Sequence, residues 1–137
     1  MTLLSVHVMM TWFMTGLIWF VQVVHYPLMG KIGPDTYEDY QVNHMRRTGW
    51  VVGPVMTAEA ATGVWLLVHV GSDLLWFGFL LLVVIWGSTA FIQVPRHNQL
   101  IGGFDAGCHR ILVWTNWIRT AAWTARSALG FAMLGMV

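Results

Sequence analysis

Four of the six histidines stand at the ends of apolar runs, and each follows an amide or carboxylate by three or four residues. The pairs are Gln22 with His25, Gln41 with His44, Gln93 with His97, and Asp105 with His109. Residues at those separations share one helix face. Such a neighbour can fix the tautomer of a ligating imidazole. Four imidazoles at one depth suit a metal ion (zinc, copper or iron), or supply axial ligands to a haem. The expected centre is therefore a metal or haem held by His25, His44, His97 and His109, with Asp105 as an added metal ligand. The competing explanation is that histidines collect, half wet, where helices leave a membrane.

A second constellation lies deeper, where Glu59, Arg119 and Arg126 interrupt apolar sequence. A charge near a bilayer centre costs from about 2.5 to well over 10 kcal/mol, so such residues turn inward and pair. Glu59 with Arg126 is the expected buried ion pair, and Arg119 the competitor. An inward arginine either fixes helix register or holds an anionic or carbonyl group of a substrate. Polar residues recur along one side of three helices: Thr11, Thr15, Gln22 and His25; Tyr40, His44 and Arg47; Asp105, His109, Asn116 and Arg119. They predict a pocket that narrows toward Glu59. Trp50, Trp117 and Trp123 fall near it, where packing explains them as well as a flat ligand would.

The elements that must position these groups follow from composition. The 137 residues are 57% hydrophobic and only 9% charged, against about 25% charged in an ordinary soluble domain. Spanning lipid as helix takes about 20 apolar residues. Residues 3–29, 50–70, 74–94 and 111–136 meet that. The prediction is all-α: one integral membrane domain, a four-helix bundle. Residues 37–47 lack Gly and Pro, so helix is expected there too, continuing into the second span with a kink at Gly53-Pro54. The first apolar run lacks a basic leader and a clean cleavage site, which reads as a retained helix. Lys31, Arg46, Arg47, Arg96 and Arg110 cluster where spans one and three end and spans two and four begin. The positive-inside rule then places that face in the cytoplasm and both termini outside, in a multi-pass cell (inner) membrane protein. A net charge of +1 argues against nucleic acid. The single cysteine, Cys108, excludes an internal disulfide.

The chain also reads as two parallel two-helix repeats. Phe20-Val21-Gln22-Val23 resembles Phe91-Ile92-Gln93-Val94, and a histidine follows each, His25 and His97. Thr48, Trp50, Thr57 and Gly63 fall against Thr115, Trp117, Thr124 and Gly130 at one constant offset, which sets Glu59 opposite Arg126. Two spans per unit make the halves parallel, about an axis along the membrane normal, and sites form where such halves meet. Gly16, Gly53, Gly63, Gly87 and Gly130 are expected to let helices approach closely.

The segments Gln93–Leu100, QVPRHNQL, and Asn116–Arg126, NWIRTAAWTAR, carry a resemblance to small four-span bacterial membrane proteins of unknown function. More distantly the chain is similar to the anthrone-oxygenase-like family, with four spans, a Pro and Asn after the third and an arginine on the fourth. The matching positions are Pro95, Asn98 and Arg119. That resemblance implies oxidation of aromatic or quinone-like compounds. The expected function is thus oxidoreductase-like, with Arg47, Asn98 and Arg119 orienting a hydrophobic small molecule that enters from membrane lipid. The alternatives are an accessory subunit, bound to other membrane subunits and holding lipid, quinone or a chlorin pigment, and a small transporter.

Overall fold

The computed structural model describes residues 2–135, and among these every regular element is helical. Four helices follow one another: α1 (Leu3–Met29), α2 (Pro34–Val70), α3 (Asp73–Gly102) and α4 (Ala106–Leu134). The first three are long and apolar enough to cross a membrane. The fourth is 29 residues long, but Arg110, Arg119 and Arg126 dilute its apolar character. Residue 136, the last of the fourth predicted span, lies outside the described residues.

Local chemistry sets the boundaries. Thr2, Ser72 and Asp105 each accept a backbone N–H three residues on, at the starts of α1, α3 and α4; these caps satisfy N–H groups that have no partner within the helix. Pro34 opens α2, where its missing N–H costs nothing. Gly71 ends α2 at φ 64°, a left-handed conformation that favours glycine. The expected helix at 37–47 is continuous with the second predicted span, and α2 runs unbroken through Gly53 and Pro54.

Both α1 and α3 contain a wider turn, a π-turn, at Val21–His25 and Thr89–Gln93. Each ends two residues before a proline, Pro27 or Pro95. A proline ring inside a helix collides with the carbonyl four residues back and removes one N–H. A wider turn at that place absorbs both defects.

Packing leaves one seam looser than the rest. α4 packs closely on both α1 and α3, and α1 packs on α2, while α2 meets the Asp73–Ser88 stretch of α3 more sparsely than these neighbours meet. The central core joins Met14 and Ile18 of α1, Met56 of α2, Ile85 of α3 and Trp123 of α4. A second core, around Tyr26, Met29, Tyr37 and Leu100, underlies the basic end. Gly63 and Gly130 do permit close approach. A β-carbon there would stand 3.1 Å from the His7 ring or from the Val8 methyls. Gly16, Gly53 and Gly87 do not, since a β-carbon on them would meet nothing within 4 Å.

Candidate functional site

The loose seam encloses a cleft of about 300 Å³. Its apolar end is walled by Met14, Leu17, Ile18, Met56 and Trp86, and its polar end by Tyr26, His44, Gln93, His97 and Arg119. α2 presents Gly49 and Gly53 at its mouth.

Three of the four singled-out histidines gather at the polar end. The His25 and His44 rings overlap at 4.2 Å between centroids, and His44 and His97 lie 5.3 Å apart. Their same-helix partners are not those that spacing predicts. Gln41 pairs with His97, not His44: its Nε2 donates to His97 Nδ1 at 3.0 Å and to the His97 carbonyl at 2.9 Å. His97 Nε2 is therefore the protonated nitrogen, placed to donate to the Tyr26 hydroxyl at 3.3 Å. His44 bonds Thr48, and His25 bonds Tyr40. Gln22 and Gln93 turn to α4, where they meet Asn116 and Thr115. The physical reason lies in the π-turns: an added residue per turn carries Gln22 and His25 off a common face.

His109 stands apart in role. Its Nε2 donates to the Tyr26 carbonyl at 2.9 Å, near the end of α1, where carbonyls run out of helical partners. Asp105 is a helix cap, its Oδ1 accepting from Cys108 N at 2.5 Å, and it meets His109 only through the backbone, its carbonyl accepting from His109 N at 2.9 Å. Among the described residues no three His, Cys, Asp or Glu side chains are set to hold a metal ion.

Arg119 is buried at the cleft wall. Its Nη1 donates to Asn116 Oδ1 at 3.3 Å, Asn116 donates to Gln22 Oε1 at 2.7 Å, and Gln22 donates to the Val113 carbonyl. That chain fixes the guanidinium in place. Arg119 Nε has no partner, and no carboxylate pairs with Arg119 among the described residues. Gln93 is 1% exposed, and its Oε1 is likewise without a partner. Arg47 and Asn98 are exposed and do not line the cleft, so of the three expected orienting residues only Arg119 reaches it.

The buried ion pair forms as spacing predicts. Arg126 donates to Glu59 Oε1 and to the Gly78 carbonyl, and Glu59 also accepts from Thr11 at 2.9 Å. His7, which sequence reading passed over, completes this group, 4.0 Å from Glu59 and 2.9 Å from the Thr62 hydroxyl. Tyr26 was also passed over. The repeat carried a signal for it: at the spacing that sets Gln22 against Gln93, Tyr26 falls against His97.

Compared with known protein families, with curated proteins and with solved structures, the chain matches none.

Proposed function

We propose that this chain is a small membrane-embedded protein with an oxidoreductase-like role, holding a flat quinone-like or aromatic compound in the cleft between α2 and α3. The observation that carries the reading is Arg119, a buried guanidinium with no carboxylate partner among the described residues, set at the polar end of a largely apolar cleft. An oxygen acceptor on the ligand answers that cation. The ligand's rings lie along Met14, Ile18, Met56 and Trp86. Tyr26 and His97 stand beside its polar end as a proton-exchanging pair.

The surroundings support a lipid setting. Trp12, Phe13, Trp19, Phe20, Trp76 and Phe91 are among the large apolar side chains exposed on the outer faces. Lys31, Arg46, Arg47 and Arg110 are exposed at the histidine end, which the positive-inside rule assigns to the cytoplasm. The halves are read as a duplication because equivalent positions meet: Met14 and Ile85 share a core with Met56 and Trp123, and Glu59 pairs with Arg126.

The test is twofold. An absorbance spectrum and metal analysis of the purified protein are taken first, then calorimetric titration with a short-tailed benzoquinone and its quinol. Saturable 1:1 binding that Arg119→Gln weakens supports the proposal. A Soret band or stoichiometric metal would instead return the histidines to the role of cofactor ligands. Failure of quinone and quinol alike to bind sinks the reading.

A further inference from the structure

Several matching positions of the two halves are buried together, among them Gln22 with Gln93, Met14 with Ile85, Met56 with Trp123 and Glu59 with Arg126, but the match fails along a stretch that lines the cleft. At the offset pairing Trp50 with Trp117, Gly49 matches Asn116, Val52 matches Arg119, Gly53 matches Thr120 and Met56 matches Trp123. Asn116, Arg119 and Thr120 are buried, while Gly49 and Gly53 are exposed and Val52 is half-buried. A β-carbon on Gly49 or Gly53 would meet nothing within 4 Å. The cleft is thus the space that side chains fill in the other half.

The hydrogen bonds differ in the same place. In one half Gln22 Oε1 accepts from the Asn116 amide at 2.7 Å. Its counterpart, Gln93, keeps its Nε2 engaged with Thr115 at 3.1 Å, but its Oε1 is buried without a partner. Where Asn116 supplies a donor, Gly49 supplies none. A buried carbonyl oxygen left unpaired is costly, and Gln93 is one of the residues around the cleft.

We infer that the ligand takes the place of the missing asparagine: it presents an O–H donor to Gln93 Oε1 and an oxygen acceptor to Arg119. This rests on the reading proposed above and narrows it to a phenol or quinol, in preference to a quinone, whose oxygens only accept. The hydroxyl of a quinol does both, donating to Gln93 and accepting from Arg119.

The test is titration under argon of the full chain with a short-tailed benzoquinol and with its dimethyl ether, which keeps shape and acceptors but has no donor. The wild type is expected to bind the quinol at least tenfold more tightly. Gln93→Leu should erase that preference. Gly49→Asn places an amide where Gln93 lacks one, so it should melt no lower than the wild type yet lose quinol binding at least tenfold. Gly16→Asn, another open glycine outside the cleft, should leave binding unchanged. Equal affinity of the wild type for quinol and ether overturns the donor assignment while leaving the cleft reading intact, as does unchanged quinol binding by Gly49→Asn. Absence of binding by quinol, ether and quinone alike overturns both.

Discussion

Arg119 and Arg126 lie two helical turns apart on one helix, yet among the described residues Arg126 has a carboxylate partner and Arg119 has none. Arg126 meets Glu59, which is fully buried. Removing one partner of such a pair leaves the other charge unpaired, at about 3–5 kcal/mol. Glu59→Gln should therefore lower the melting temperature, and adding Arg126→Gln should recover part of the loss; strictly additive losses in the double variant would show that the pair is not coupled. Among the described residues, Arg119 has only the Asn116 amide oxygen. In the proposed reading its free hydrogen-bonding capacity serves a ligand, and a bond to a charged group contributes about 1.5–3 kcal/mol. Arg119→Gln should weaken quinol binding about 10- to 100-fold, at about 1.4 kcal/mol per factor of ten, with little change in melting temperature. Unchanged calorimetric affinity would remove Arg119 from the site.

The helices place these residues through two devices, prolines with their π-turns and glycines at crossings. The π-turn before Pro95 sets the rotation of His97 relative to the rest of α3. Pro95→Ala restores the N–H and relieves the ring collision, so the wider turn loses its cause. The expected result is weaker quinol binding with unchanged or higher thermal stability; undiminished affinity would mean that the turn is held by packing alone. Glycines act by absence. Gly130 lies under both Val8 methyls, each 3.1 Å from where a β-carbon would sit, so rotating Val8 cannot clear both. Gly130→Ala should cost about 1–3 kcal/mol by overpacking, read as a lower melting temperature, whereas Gly16→Ala, facing open space, should not; equal melting of the two variants would contradict the close crossing.

At the scale of the molecule, the alternation of helices brings the basic residues and four histidines to one end. The proposed orientation puts that end in the cytoplasm. In a Cys108→Ser background, single cysteines at Thr2, Ser72 and Gln99 should label from outside, outside and inside respectively. Labelling of the Gln99 position from outside would invert the topology. α2 and the Asp73–Ser88 stretch of α3 pack most sparsely of the neighbouring helices, and the cleft lies at that seam. A hydrophobic ligand dissolved in lipid would reach it through that seam.

Composition alone dictated helices, because a chain so apolar and so sparsely charged has to satisfy its backbone within each segment. Polar residues in apolar runs also announced themselves, since the cost of burying Glu59 and Arg126 demands a partner, and the internal repeat named the pair. The histidine end was legible too, because alternation of direction forces those helix ends together. The partners of each histidine were not. They depend on helix rotation, and the π-turns at Val21–His25 and Thr89–Gln93 shift that rotation in a way that counting three or four residues does not foresee. Asp105 reads as a ligand by spacing and is a cap by backbone geometry. Arg47 and Asn98 have the right chemistry but face outward. The cleft itself exists only in three dimensions: it is the volume that Gly49 and Gly53 leave open and that Asn116 and Thr120 fill in the other half.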